Sequence, residues 1–211
     1  KPLAPDPETC AAILADAAAG GAILGTGHVE RFNPAVRRAM ELGVRPRFVE
    51  AHRLAPYTFR STDVGVVLDL MIHDLDLVLA WTGEEPESVD AVGGTVLSEA
   101  EDICSARLRF PSGAVANLTA SRLSLKPMRR FRVFGPDCYV SADSGERYAL
   151  LVQKAAGFSP EAVREAAAAP PPVEALKGLL PTHELPLPDH DPLPAQLTPF
   201  APPSPTRRPP P

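Results

Sequence analysis

The sequence predicts an α+β fold in which a helix packs on a mostly antiparallel open sheet, preceded by the last α/β piece of a truncated domain. Three observations indicate this. Residues 64–81 are almost continuously apolar and end at a Thr-Gly pair, as expected for a buried helix. Short apolar runs separated by Pro/Gly turns follow, as in antiparallel sheets. Residues 6–42, which precede both, combine helix and strand patterns.

The N-terminal segment predicts a helix, a strand, a loop and a helix in that order. Residues 6–8 (Asp-Pro-Glu) place a capping side chain, a proline and an acid where a helix begins, and helix formers continue to residue 19. The glycines at 20–21 end this helix. We expect a short buried strand over 22–27 and a second helix over 34–42, an order typical of the end of a parallel α/β sheet.

A second unit begins near residues 33–43. A strand over 47–54 precedes the long helix, and alternating runs after it predict strands over 88–97, 103–110, 114–121, 129–134, 139–142 and 148–153. A further short helix is expected over 159–169. Fifteen of the 26 prolines lie in the last 42 residues, so we expect a mostly disordered tail there.

Composition excludes several classes of protein. A net charge of −5 argues against a nucleic-acid binder, which normally carries a basic face. No apolar run reaches the roughly 18 residues that span a bilayer, so no membrane association is expected. Cys10, Cys104 and Cys138 are odd in number and far apart, which favours free thiols in the reducing cytoplasm.

The long helix carries its polar residues on one side. At about 100° per residue, Asp69, His73 and Asp76 share a stripe roughly 60° wide, while Asp74 points away from it. The stripe is a solvated edge, a functional site or an internal hydrogen-bond network. The absence of Lys, Glu, Gln and Arg between residues 64 and 82 argues against the solvated edge.

A histidine with a carboxylate one turn away suits a general base oriented by its neighbour. The same pair could supply two ligands of a metal site. The third ligand would have to come from His28 or His52, and nothing in the spacing requires either. No metal is therefore predicted.

Three motifs in order resemble the Gfo/Idh/MocA family, the glucose–fructose oxidoreductase and inositol dehydrogenase-like enzymes. They are Lys1-Pro2, the segment Gly-x-Gly-His-x-x-Arg-Phe-Asn-Pro at 25–34, and Gly-x-x-x-Asp-x-x-x-His-Asp-x-Asp at 65–76. The hairpin at 107–114 also looks like that of the family, and the resemblance covers residues 1–155. The most similar branch acts on nucleotide-linked amino sugars.

The resemblance implies a Rossmann domain that binds NAD or NADP, followed by an α+β domain whose open sheet often mediates oligomerisation. We therefore interpret residues 1–33 as a Rossmann remnant, 34–165 as the substrate and oligomerisation domain, and 166–211 as the proline-rich tail. The implied activity is hydride transfer from a sugar, cyclitol or nucleotide-sugar hydroxyl. The implied partners are a sugar-type small molecule and further copies of the chain, paired through the sheet.

The resemblance also assigns roles to individual residues. Lys1 would sit near the reacting carbon and polarise its oxygen, and Lys1 and Pro2 would contact the cofactor. His73 would accept the hydroxyl proton while Asp69 orients the imidazole. A relay of this kind contributes roughly 10²–10⁴ in rate.

Further residues are expected to line the cleft between the two domains: His28, Arg31, Asn33, Arg60 and Asp76. Simpler alternatives stand beside these roles. Lys1 could be an ordinary solvated lysine, Arg31 could pair with Glu30 or Glu41 on the surface, and Asn33 could cap the helix that begins at Pro34.

One departure from the family is large. The fingerprint Gly-x-Gly-x-x-Gly is absent from the 211 residues, and residues 25–27 do not substitute for it because no glycine follows three positions later. The fingerprint lets a helix N-terminus approach the cofactor pyrophosphate, so the cofactor site should lie mostly outside this chain. Two hypotheses follow: part of an NAD(P)-dependent sugar oxidoreductase, inactive alone, or a non-catalytic sugar-binding or assembly module.

Overall fold

A mixed sheet forms the centre of the computed structural model, which describes residues 1–58, 63–168, 172–189 and 191–197. Its strands are β1 Phe48–Leu54, β2 Ser88–Gly94, β3 Ile103–Arg109, β4 Val115–Ser121, β5 Met128–Phe134, β6 Cys138–Asp143, β7 Tyr148–Gln153 and β8 Thr182–Glu184. Within those residues the order is β2-β3-β4-β1-β5-β6-β7-β8, and β1 is parallel only to β4. The predicted open, mostly antiparallel sheet is confirmed.

The helices in the described ranges are α1 Pro7–Ala19, α2 Pro34–Met40, α3 Ile72–Thr82, α4 Pro160–Ala168, α5 Pro172–Leu179 and α6 Pro192–Leu197. Of these, α2 packs against β6 and β7, and α3 packs against β1 and β4. Strand β1 alternates between buried and half-buried residues, and its buried set, Val49, Ala51 and Arg53, faces the helices. Trp81 of α3 stacks on Phe131 of β5 at 5.7 Å between ring centroids. The core therefore lies between α2, α3 and the sheet.

The predicted long helix is present but has two parts. A π-helical turn spans Val67–Met71, and α3 continues from it to Thr82. Gly83 ends α3 with φ 68°, in the left-handed conformation that glycine adopts without strain. A π-turn holds more residues than an α-turn, so it rotates the residues after it relative to those before it.

The strand predicted over 22–27 is absent. The segment is irregular, and the side chains of Ile23 and Leu24 are 82% and 40% exposed. A strand needs a hydrogen-bonding neighbour, and no strand in the described ranges pairs with this segment. The prediction of a short buried strand over residues 22–27 was therefore wrong.

The tail prediction is also corrected for residues 172–189 and 191–197. Strand β8 pairs antiparallel with β7, and Pro172 and Pro192 are the first residues of α5 and α6. A proline at the first helical position loses no hydrogen bond, so these prolines start helices rather than break them. Residues 169–171, 190 and 198–211 lie outside the described ranges.

No helix in the described part of the chain has the length and apolar character needed to span a bilayer.

Candidate functional site

A cavity of about 390 Å³ lies where the π-turn meets the ends of β1 and β5. Asp69 and His73 both line it, as do three arginines: Arg53, Arg122 and Arg129. The two residues expected to work as a pair therefore share one cavity wall.

The start of the π-turn is held by the loop between β2 and β3. The backbone N–H of Val66 donates to the Glu101 carbonyl at 3.0 Å, and that of Val67 donates to Glu101 Oε1 at 3.2 Å. A Cβ on Gly65 would overlap the Glu101 carboxylate, so the absence of a side chain at this position lets the carboxylate approach the backbone. Arg122 adds a hydrogen bond from Nη2 to the Val64 carbonyl at 2.5 Å. These contacts fix where Asp69 enters the cavity.

Lys1 reaches this helix from the other end of the chain. Its ammonium donates to the Asp69 carbonyl, and Lys1 Nζ lies 3.9 Å from Asp69 Oδ1. Burial lowers the pKa of Lys1; the Asp69 carboxylate opposes this shift, and Arg53 adds to it. Lys1 is therefore not a freely solvated lysine. Pro2, which follows it, is half-buried.

His73 is a neutral imidazole in the cavity wall. Burial, followed by the positive charges of Arg53 and Lys1, lowers its pKa to about 3. Its Nδ1 is buried and has no hydrogen-bond partner among the described residues. The predicted hydrogen bond by which Asp69 would orient His73 is also absent among the described residues, because the Asp69 carboxylate lies against Lys1. The arrangement is a lysine–aspartate pair beside a neutral histidine.

A buried ion-pair network behind His73 was missed by the sequence reasoning. Arg53 donates from Nε and Nη2 to the two Asp74 oxygens at 3.0 and 2.8 Å, and from Nη1 to Glu30 Oε1 at 3.4 Å. The three residues are 5%, 4% and 7% exposed. Burial raises the pKa of Asp74, while the Arg53 guanidinium favours its ionised form. One signal was available: an arginine at a buried position of an alternating strand requires a carboxylate partner.

Three of the predicted cleft residues form a separate cluster. Arg31 donates to both oxygens of Asp76 at 2.6 Å, and His28 Nδ1 lies 3.6 Å from Asp76 Oδ1. Burial lowers the pKa of His28, and Asp76 opposes the shift. The cluster joins the 3-10 turn Val29–Phe32 to α3 and lies outside the cavity wall.

Of the other predicted cleft residues, Asn33 takes a different place. The Asn33 side chain accepts from the Ala35 N–H at 3.0 Å and donates to the Ser144 carbonyl at 3.3 Å, so it caps α2 as the simpler alternative predicted. Arg60 lies outside the described residues. His52 of β1 alternates with the buried residues and lies on the face opposite Arg53. In the described ranges no group of three or more His, Cys, Asp or Glu is placed to hold a metal ion.

Fold and site together define a mixed α+β domain in which Asp69 and His73 line one cavity and Lys1 pairs with Asp69. Residues 13–140 match the family model described as the GFO/IDH/MocA C-terminal domain. The chain therefore belongs to the Gfo/Idh/MocA family of oxidoreductases, which confirms the resemblance carried by its motifs.

Two curated relatives match over part of their length. UDP-N-acetylglucosamine 3-dehydrogenase from Acidithiobacillus ferrooxidans is 40% identical over 161 residues, which cover 76% of this chain and 51% of the relative. Myo-inositol 2-dehydrogenase from Thermotoga maritima is 30% identical over 138 residues, covering 58% of this chain and 41% of the relative. The chain thus spans about half the length of the curated relatives it matches.

Solved structures agree with this assignment. A crystal form of the Acidithiobacillus ferrooxidans enzyme has a TM-score of 0.79 and 35% identity, covering 95% of this chain and 59% of that one. A levoglucosan dehydrogenase in complex with NADH and L-sorbose has a TM-score of 0.56 at 18% identity, and this likeness supports the fold alone.

Proposed function

We propose that this chain forms the substrate-binding part of an NAD(P)-dependent oxidoreductase that oxidises a hydroxyl of a sugar, cyclitol or nucleotide sugar by hydride transfer. The observation that carries the proposal is that Asp69 and the neutral His73 imidazole line one cavity while the Lys1 ammonium pairs with Asp69. Family membership and the activities named for the relatives support the same reaction class.

Each residue of this group has a role that its environment suits. The Lys1 ammonium donates a hydrogen bond to the substrate oxygen and stabilises negative charge that develops there as the O–H proton leaves. Asp69 holds that ammonium in place and favours its charged form. His73 accepts the proton, because its imidazole is neutral at physiological pH and its buried Nδ1 has no hydrogen-bond partner among the described residues. The positive charges of Lys1 and Arg53 disfavour the imidazolium, so the proton then passes on to solvent.

The residues present fit only the reacting end of a nicotinamide cofactor. When bound, that group supplies the acceptor for the hydride that leaves the substrate carbon. Lys1 and Pro2 are the residues we place against it. No Gly-x-Gly-x-x-Gly occurs in the 211 residues, so this chain contributes no pyrophosphate-binding loop of that kind. The choice between NAD and NADP follows from residues that would contact the ribose.

The missing Gly-x-Gly-x-x-Gly fingerprint also favours a second candidate function. A sugar-binding or assembly module without catalysis needs the cavity and the sheet but no pyrophosphate-binding loop.

We also propose that copies of the chain pair through the face of the sheet that the helices leave uncovered. Side chains exposed on that face include Val92 and Ile103, at 71% and 39% exposure.

The test is NAD(P)H formation from a panel of sugars and nucleotide sugars, using a polypeptide that joins this chain to a nucleotide-binding domain. His73→Asn should lower kcat by roughly 10²–10⁴ and change KM little, because proton acceptance matters mainly in the transition state. His183→Asn, which alters an exposed histidine in β8, is the matched control and should leave kcat unchanged. Equal kcat values for wild type and His73→Asn would contradict catalysis by His73. Sugar binding without turnover would favour the module.

A further inference from the structure

We infer that Glu101 is a positioning residue, which sets where Asp69 stands at the cavity and so where Lys1, its partner, is held. This inference rests on the proposed function, because it concerns how the residues proposed there are held in place. Glu101 lies in the turn that joins β2 to β3 and is not among the described residues that line the cavity. It can therefore act on the reaction only through other residues.

Two groups of Glu101 accept hydrogen bonds from the first backbone donors of the helix. Its carbonyl accepts from the Val66 N–H at 3.0 Å, and its Oε1 accepts from the Val67 N–H at 3.2 Å. The first N–H groups of a helix have no partner within the helix, and a carboxylate there also meets the positive end of the helix dipole. Glu101 therefore supplies, from outside the helix, the hydrogen bonds that hold its first turn.

Asp69 is tied to the same short stretch of backbone. Its N–H donates to the Gly65 carbonyl at 3.1 Å, so the chain that contacts Glu101 also carries Asp69. The Asp69 carbonyl accepts from the Lys1 ammonium, and Lys1 Nζ lies 3.9 Å from Asp69 Oδ1. A displacement of the helix start would thus shift both Asp69 and Lys1 relative to a substrate in the cavity.

The turn that carries Glu101 is itself fixed. Asp102, the next residue, is fully buried, and its Oδ2 accepts from the N–H groups of residues 96, 97 and 98. Arg122, which lines the cavity, lies 3.7 Å from Asp102 Oδ1 and donates to the Val64 carbonyl at 2.5 Å. Because the turn is anchored by these contacts, it can hold the helix start in one place.

Gly65 allows the Glu101 carboxylate to reach the helix because it has no side chain. A Cβ at this position would overlap Oε1 and Cδ of Glu101. The backbone of Gly65 is not left-handed, so alanine is compatible with it, and the overlapping atoms are the end of a side chain that can rotate. Gly65→Ala should therefore fold normally and displace the carboxylate without altering Glu101 itself.

The first experiment measures NAD(P)H formation by the polypeptide that joins this chain to a nucleotide-binding domain. Glu101→Ala should lower kcat about 10- to 100-fold and change KM less than about threefold, because a displaced reacting group costs rate while the cavity that binds substrate is kept. Glu101→Gln should recover most of this loss, since its amide oxygen can accept from the Val67 N–H. Glu101→Asp, one methylene shorter, should not recover it.

Two further variants separate positioning from a general loss of structure. Gly65→Ala should lower kcat as Glu101→Ala does, and the double variant should be no slower than the slower single variant, because both changes remove one contact. Glu99→Ala removes a carboxylate from an exposed position of the same turn and should leave kcat unchanged.

The second experiment needs no turnover and uses the 211-residue chain. It follows the Lys1 side-chain ammonium by NMR through a pH titration. Glu101→Ala and Gly65→Ala should each raise the pKa of Lys1 toward the ordinary lysine value, because burial, the main cause of its lowered pKa, is relieved when Asp69 shifts. Glu99→Ala should leave the titration of Lys1 unchanged.

Three results would overturn the inference. They are a kcat of Glu101→Ala within about twofold of wild type, losses that multiply in the double variant, and a Lys1 titration that neither variant alters. Failure of the proposed function is read separately: His73→Asn would then turn over as the wild type does, while the Lys1 titration would still report whether Glu101 holds Lys1 in place.

Discussion

Replacing Arg53 with methionine would leave two carboxylates buried without their shared partner. Methionine retains most of the unbranched side chain, so the change removes the guanidinium without opening a large cavity. Asp74 is 4% exposed and Glu30 is 7% exposed, which means that water cannot replace the lost hydrogen bonds. The perturbation therefore measures the electrostatic role of Arg53 in joining β1, α3 and the 3-10 turn.

The expected loss is large for a single substitution. Arg53 donates three hydrogen bonds to these carboxylates, at 3.0, 2.8 and 3.4 Å. Removing one partner of a buried charge pair costs about 3–5 kcal/mol of unfolding free energy. At roughly 2–4 °C per kcal/mol for a chain of this size, Tm should fall by about 6–20 °C.

The assay is urea unfolding at pH 7.5 with linear extrapolation, paired with a thermal melt. The matched control is the double variant Arg53→Met with Asp74→Asn, which removes the stranded charge and should recover part of the loss. A pH series tests the direction in which the loss of stability changes with pH. Without Arg53 the folded pKa of Asp74 lies further above its unfolded value near 4, so the penalty shrinks at acid pH and grows as pH rises.

Two results would refute the reasoning. A loss under about 1 kcal/mol for Arg53→Met would show that the network contributes no more than an exposed pair. A double variant as unstable as the single variant would show that the stranded Asp74 carboxylate is not the cause.

Three further predictions concern His73, Asp102 and the cofactor. The folded pKa of His73, about 3, lies below its unfolded value of about 6.5, so the unfolded chain binds more protons between them and stability falls as pH drops through that window. The slope is at most about 1.4 kcal/mol per pH unit, and urea melts should show it missing from His73→Gln. Asp102 is fully buried and accepts from the N–H groups of residues 96, 97 and 98 at 2.8, 2.6 and 3.0 Å. Asp102→Asn should speed hydrogen exchange of these amides at least about tenfold, and unchanged protection would argue against this role. Finally, calorimetry of the 211 residues with NAD(H) should detect no binding; tight binding would refute the expectation drawn from the missing fingerprint.

Local patterns predicted most of the secondary structure. Alternation over 47–54, 103–110 and 114–121 corresponds to β1, β3 and β4, because period two follows directly from strand geometry. The cap at Asp6 and the stop at Gly83 also follow from neighbouring residues. The strand predicted over 22–27 failed because a strand depends on a partner that the segment itself does not specify.

The candidate site was also predicted from the sequence only in part. Order and spacing of motifs brought Lys1, Asp69 and His73 together as candidates, and in the structure Asp69 and His73 line one cavity while Lys1 contacts Asp69. Their pairing was not predictable from a helical wheel, because Asp69 pairs with Lys1, 68 residues away in the chain, rather than with His73. Asn33 could be either a cleft residue or a cap, and only its contact with the Ala35 N–H decided this.

The amino-acid order alone determined the family, the covered open sheet and the apolar helix that carries Asp69 and His73, since these depend on periodicity and on residues a few positions apart. The tertiary structure decided which polar and charged side chains contact one another. Glu101 reaches the helix start across 34 residues, and Lys1 reaches Asp69 across 68. Electrostatic contacts act through space over a few ångströms, and the protonation of His73 follows from charges that only folding brings near it.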